Sequence, residues 1–374
     1  MSPLSAGASR GRPSACHAGV PGPARLRIAL IASARYPIRE PFPGGLEAHT
    51  WQLAQRLRAR GHRVCVFGGV GSDPDLGVHE LPELPTISAL ARADVSMPPE
   101  WFLAEHHAYL ALMLELGRGS GHYDLVHNNS LHYLPVAMAS TLPMPVLTTL
   151  HTPPTPWLES AIRLRAPSTR FAAVSHYTAG QWRPAIPEPD VVHNGVDVDF
   201  WSAGPGEGVP VWFGRIVPEK GPTEAIRAAR VAGSGLRLAG PTPDPRYFRQ
   251  EVAPLLGDGV DYLGHLDHAQ LVALIGSARA AVVTPCWDEP YGLVVAEALA
   301  CGTPVAGFRR GALPELLDDS CGVLADPGDV AGLAAAIDEA GRLDRRAARH
   351  HAELTCSVDA MVDGYERLYA ELAS

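Results

Sequence analysis

Apolar residues in this chain fall in short runs separated by turn-forming stretches, and the runs alternate between two periodicities. Leu26 to Ala32 (LRIALIA) is a continuous apolar run bounded by turn residues, the pattern of a strand covered on both faces of a parallel sheet. A loop with Pro37, Pro41, Pro43, Gly44 and Gly45 follows. Leu53, Ala54 and Leu57 then share one face of a helix predicted over 47–60, with Gly61 at its C-terminal cap. Val64 to Gly68 reads as the next strand, which completes a βαβ unit with a right-handed crossover.

The alternation continues with strands predicted at 124–127, 146–150, 171–175 and 191–194. The turn-rich stretch Trp201 to Val209 (WSAGPGEGV) interrupts it. A second series starts with a strand at 211–214 and a helix near 223–231. Strands at 236–239 and 260–263, a helix at 268–277, a strand at 281–284, a helix at 291–300 and a strand at 304–307 follow. Two such series predict an α/β protein of two Rossmann-like, doubly wound domains, residues 25–200 and 201–355, facing across a cleft that holds the ligand site. Met361, Tyr365, Leu368, Tyr369 and Leu372 recur at helical spacing, so residues 356–374 are expected to form an amphipathic helix that packs on something. Residues 1–24 lack a continuous apolar core and are expected to be a disordered tail rather than a signal peptide.

Composition narrows the class. Hydrophobic residues make up 46% and charged residues 19% of 374, ordinary for a soluble globular protein. The net charge of −9, from 31 basic and 40 acidic residues, argues against a nucleic-acid binder. No apolar run reaches the ~18 residues of a membrane span. Six cysteines without a CxxC pair read as reduced thiols in a cytoplasmic protein. No HExxH or HxH spacing marks a metal site, so no metal is expected. Arg163, Arg165 and Arg170 read as solvated surface, with peripheral contact to anionic lipid heads as the alternative.

The strongest chemical signal is Glu289-Pro290-Tyr291-Gly292-Leu293-Val294-Val295-Ala296-Glu297, which directly follows a strand. A helix starting there points free N–H groups out of the sheet and suits an anionic diphosphate. Glu297 lies two turns beyond Glu289, so the two carboxylates are placed to grip different hydroxyls of one elongated ligand. Alone, the pair reads equally well as glutamates favoured at a helix start by the dipole. Gly214-Arg215 and Lys220-Gly221 follow the first strand of the second series. Arg215 can fork onto phosphate oxygens and Lys220 can act as a mobile point charge. Trp287, in the same loop as Glu289, is a packing residue or a platform for a sugar face.

These segments carry a specific resemblance. FGRIVPEKG, LAG at 238–240, YLGHL at 262–266, EPYGLVVAEALACGTPVAG and GALPEL at 311–316 resemble, in order and spacing, the retaining glycosyltransferases of family 4, which have the GT-B fold. The resemblance extends from about Arg27 onward. It implies a C-terminal helix crossing back toward the first domain and a nucleoside diphosphate sugar as co-substrate, with no cofactor. It assigns the donor sugar's hydroxyls to Glu289, the ribose to Glu297, the diphosphate to Arg215 and Lys220, and the nucleobase to the backbone at His265 and Leu266. Tyr291, Gly292 and Leu293 complete the donor segment. GALPE stands where the family's usual GGxPE does, with Ala312 for the second glycine. Gly44-Gly45-Leu46-Glu47 resembles the family's glycine loop, with Gly45 near the diphosphate and Glu47 toward the acceptor. His151, after the strand VLTTL, matches the family histidine that faces the sugar near its reacting carbon. His127, Asn128 and Asn129 are expected to line the acceptor side. Ser175-His176 and Asn194-Gly195-Val196-Asp197 resemble the family's VS and NGVD segments, the latter read as mainly structural.

The resemblance implies a retaining, metal-independent hexosyl transfer, with UDP expected ahead of GDP as the nucleotide. The acceptor is a small molecule, a saccharide or a lipid, in natural-product or cell-envelope synthesis. A Rossmann oxidoreductase would require GxGxxG in the first βα turn, and SARYPIREPFPGG lacks it. A sugar-phosphate synthase or phosphorylase on the same fold, and a non-catalytic sugar-nucleotide binder, stand as alternatives.

Overall fold

The computed structural model describes residues 25–119, 122–166 and 169–373. The tail expected at 1–24 lies outside the described residues.

The first series folds into seven parallel strands: β1 (Arg27–Ile31), β2 (Arg63–Gly68), β3 (His79–Glu80), β4 (Leu125–Asn128), β5 (Val146–Leu150), β6 (Arg170–Ala173) and β7 (Asp190–Val191). Their order is β3-β2-β1-β4-β5-β6-β7. The second series supplies β8 (Val211–Phe213), β9 (Leu236–Ala239), β10 (Val260–Tyr262), β11 (Ala281–Val283), β12 (Val305–Phe308) and β13 (Gly322–Ala325), also parallel, in the order β10-β9-β8-β11-β12-β13. Both sheets reverse their winding beside the first strand of the series, between β1 and β4 and between β8 and β11. Loops leaving neighbouring strands diverge at such a point and open a crevice at the carboxyl ends.

The buried strands are apolar because both faces are covered: Ile28, Leu30 and Ile31 are inaccessible to solvent. The C-terminal helix Val358–Ala373 completes the first domain rather than the second. Its Met361, Val362, Tyr365, Leu368 and Tyr369 share a core with Ile28, Leu30, Leu53 and Leu57. Each such side chain contributes roughly 1.5–3 kcal/mol by burial. Arg60, at the end of the helix Gly45–Ala59, ties this helix down through Asp359, Asp363 and Glu366.

Besides elements the sequence reading did not give, such as β3, β13 and the helices Val330–Ala340 and Arg345–Thr355, three differences bear on the crossover and the cleft. The strand expected at 191–194 pairs only over Asp190–Val191. The chain then leaves the sheet for the crossover, where Val196 pairs with the returning segment through Cys356 O at 2.8 Å and Val358 N at 2.9 Å. The helix expected from 291 begins at Leu293. The long helix Glu100–Gly117, in a stretch without a readable motif, was not anticipated, because its apolar residues do not form one stripe: Leu112, Met113 and Leu116 are buried while Trp101 and Leu114 are exposed. No helix among the described residues is long and apolar enough to cross a membrane.

Candidate active site

A cavity of about 1150 Å³ lies between the carboxyl ends of the two sheets. The second domain supplies one end of it. Arg215 follows β8, half-exposed, with its guanidinium 3.8 Å from Glu219. Lys220 reaches from the turn before the helix Pro222–Val231 to Glu289 Oε2 at 2.5 Å, and Trp287 Nε1 donates to the same oxygen at 3.1 Å. The helix Leu293–Ala300 starts beside them with Gly292 at its cap position and no side chain capping its N–H groups. Anions are favoured there by the unsatisfied donors and the helix dipole.

The Glu289 loop is held from behind by the GALPE turn. Ala312 N donates to Glu289 O at 2.9 Å. Gly311 has φ +59°, and a Cβ there would stand 2.3 Å from Glu289 O, so no other residue fits without moving the loop. Ala312 has φ −81°, which explains why this chain needs no second glycine. The first domain clasps the same segment: Ser175 Oγ and Thr178 Oγ1 donate to Pro290 O at 2.6 and 3.0 Å. Glu315, from the GALPE turn, accepts from His176 N and Tyr177 N at 3.0 Å each.

Glu297 lines the cavity one helix turn deeper, and burial pushes its carboxyl up to about 7. Tyr291, Gly292 and Leu293 line the wall with it, as do His265 and Leu266 at the end of β10. Gly45 opens the first-domain helix against this wall, where a Cβ would come within 2.9 Å of Leu293 Cδ1. Glu47 is buried in the cavity wall. Its carboxyl is raised by burial and drawn back by Ser33 and by the charge of Arg215 across the cleft.

His151 sits at the end of β5, and its Nε2 meets Asn129 Oδ1 at 2.9 Å. In this arrangement the ring proton is on Nε2 and Nδ1 keeps its lone pair. The His49 ring, from the glycine-loop helix, meets the His151 ring edge-on with centroids 4.9 Å apart. Burial, reinforced by His49 and His127, holds His151 well below the ordinary histidine range, and burial lowers His49 to about 4. His151 is therefore a neutral group at neutral pH and not a cation facing the cleft.

His127, Asn128 and Asn129, all three expected on the acceptor side, are not on the cavity wall. His127 is fully buried, bonded to Tyr369 at 2.7 Å and to Thr149 at 2.8 Å. Asn128 is buried as well, accepting from Ser130 Oγ at 2.7 Å. Side chains alternate along a strand, and both lie on β4 rather than in the loop beyond it. Asn129, the next residue, acts on His151 instead. The first-domain wall includes aromatic residues the sequence did not single out: Trp101, Phe102, Tyr109, His132, Tyr133 and Trp157. Exposed aromatics in a motif-free segment gave no signal before the helix Glu100–Gly117 was placed.

The arginine cluster disperses. Arg163 pairs with Glu159, Arg165 donates to carbonyls of Ile162 and Ala185, and Arg170 pairs with Asp190 and Glu371. Two Asp-x-Asp pairs occur, and neither lines the cavity: Asp73 accepts from Trp51 and caps a turn with Asp75, and Asp197 pairs with Arg56 and caps a turn with Asp199. Asp318, Cys321 and His351 cluster outside the cavity lining with ligand atoms within 4.8 Å of one another, and burial pushes the Cys321 thiol up to about 12.

With this geometry in place, the comparisons with known proteins agree on one kind of enzyme. The family model described as Glycosyltransferase Family 4 matches residues 43–200, and that described as Glycosyl transferases group 1 matches residues 203–352. The chain is 30% identical to a D-inositol 3-phosphate glycosyltransferase of Mycolicibacterium smegmatis, covering 92% of each chain. It is 29% identical to a glycogen synthase of Mycobacterium tuberculosis, over 89% of this chain and 91% of the relative. Among solved structures, HepE of Anabaena in complex with UDP and glucose superposes with a TM-score of 0.71 at 19% identity, covering 93% of this chain and 100% of that one. That likeness is one of fold.

Proposed function

The chain belongs to glycosyltransferase family 4, and from that premise we propose that it moves a hexosyl unit from a nucleoside diphosphate sugar, UDP ahead of GDP, to a hydroxyl of its acceptor with retention of configuration. The observation that carries the reading is the convergence of Arg215, the Lys220–Glu289 pair and the uncapped N-terminus of Leu293–Ala300 on one end of the cavity. UDP is put first because HepE, of the same fold, holds UDP.

In this reading the bond from the sugar's anomeric carbon to the diphosphate breaks, and its electron pair leaves on the diphosphate. Arg215, Lys220 and the helix N-terminus stabilise that growing charge, which requires no metal in this scheme. The acceptor oxygen bonds to the same carbon on the face just vacated, and its proton passes to the departing phosphate oxygen. Glu289 positions the sugar hydroxyls, Glu297 the ribose, and the backbone at His265 and Leu266 the base. His151, neutral and tethered to Asn129, offers Nδ1 as an acceptor for a sugar hydroxyl and is a positioning group rather than a base. No carboxylate is assigned to nucleophilic attack, unlike a double-displacement glycosidase.

A panel of nucleotide sugars tests this by melting temperature and by donor hydrolysis without acceptor. A matching donor at a hundred times its Kd is expected to add about 2.7 kcal/mol of stability. Glu289→Ala is expected to abolish hydrolysis while UDP still binds. Undiminished hydrolysis in that variant, or an inverted anomer in the product by NMR, would refute the scheme.

A further inference from the structure

We propose that the first-domain half of the cavity is an acceptor subsite for a neutral saccharide, an inference that rests on the donor reading above. Trp101 and Trp157 line the cavity yet remain 57% and 60% exposed. They are not loose. Trp157 stacks on Tyr133 at 5.5 Å and 28° and leans on Phe102 at 5.5 Å, and Phe102 meets Trp101 edge-on at 5.9 Å and 86°. The result is an aromatic ridge with fixed rings and open indole surface. Trp101, Trp157 and His151 line one cavity, so a ligand on the ridge shares it with the proposed donor.

The charges on this wall select among ligands that stack. The first-domain residues described as lining the cavity include one cation, Arg35, against three carboxylates, Glu40, Glu47 and Glu105. Arg35 is already engaged: its Nε meets Glu105 Oε1 at 2.5 Å and its guanidinium lies 4.5 Å over the Trp101 ring. A phosphate-bearing acceptor would meet net repulsion and no uncommitted cation. Glu40 and Glu105 are themselves paired, with His268 at 2.7 Å and with Arg35, so a sugar-free aromatic would use the indoles but none of the acceptor oxygens that these carboxylates and Glu47 still present. A neutral saccharide uses both, laying a C–H face on the indoles and donating hydroxyl hydrogen bonds to carboxylates.

The test titrates the UDP-saturated protein with maltotriose, cellotriose and mannotriose, with glucose 6-phosphate and D-myo-inositol 3-phosphate, and with a simple phenol, following tryptophan fluorescence. At least one neutral trisaccharide is expected to bind more tightly than every phosphorylated or sugar-free probe. Trp157→Ala and Trp101→Ala are each expected to weaken it about fivefold to tenfold. Trp157→Phe, which keeps a ring on Tyr133, is expected to recover most of the affinity and guards against a folding defect. Tighter binding of a sugar phosphate or the phenol, or unchanged trisaccharide affinity in both alanine variants, would overturn the inference while leaving the donor reading intact. Failure of both UDP and GDP to bind the wild-type protein would overturn the donor reading and this inference with it.

Discussion

In the proposed donor role, Glu297 would serve binding at the expense of the empty protein. Its carboxyl titrates near 7 because burial disfavours its charge. A carboxylate accepts hydroxyl hydrogen bonds more strongly than a carboxylic acid does, so donor affinity is expected to tighten from pH 6 to pH 8. The sign for stability is opposite. The folded-state value lies above the unfolded one, so native Glu297 holds a proton that the unfolded chain has released between ~4.3 and about 7. Its contribution is present below that window and is lost as pH rises through it. Glu297→Gln is therefore expected to raise the melting temperature of the unliganded protein at pH 8, to weaken donor binding about tenfold and to remove its pH dependence. Calorimetry with and without UDP at pH 6 and 8 measures all three, and a lower melting temperature for the unliganded variant at pH 8 would contradict the account.

At the scale of elements, the Glu289 loop is shaped by the turn behind it. Gly311→Ala would force a side chain into Glu289 O at a backbone angle of +59°. The expected cost is about 1–3 kcal/mol, with a raised donor KM because Glu289 must shift. Ala312→Gly, at an ordinary φ of −81°, is expected to change stability by no more than about 1 kcal/mol and to leave the donor KM unaltered. Urea unfolding and donor hydrolysis separate the two, and equal effects would show that the turn does not hold the loop. The sequence made the donor elements legible because a glycine turn, a helix start and fixed carboxylates leave residue types that few other structures need. It left Glu100–Gly117 illegible, since an apolar helix that is part core and part cavity wall has no single stripe to read.

For the whole molecule, the site exists only while the domains meet. Glu315 of the second domain holds the start of the first-domain helix His176–Trp182, and Ser175 holds Pro290 in return. Glu315→Ala removes both acceptors without touching either sheet. It is expected to raise the donor KM about tenfold, consistent with the loss of hydrogen bonds to a charged group at ~1.5–3 kcal/mol. Small-angle scattering with saturating UDP is expected to show a larger radius than wild type. An unchanged KM and radius would mean that the clasp does not govern closure.

The sequence by itself determined the two α/β series, the helix start after Gly292 and the helix that had to pack elsewhere, because apolar periodicity and glycine placement are local consequences of backbone geometry. Tertiary structure alone decided which loops became neighbours. The winding reverses beside β1 and β8, and only that strand order gathers Gly45, Arg215, Glu289 and His151 around one crevice. The same long-range packing took His127 into the core against Tyr369, gave Asn129 to His151, and turned Trp101 and Trp157 toward the cavity. Strand order and side-chain environment arise from contacts between residues far apart in the chain, and no local pattern encodes them.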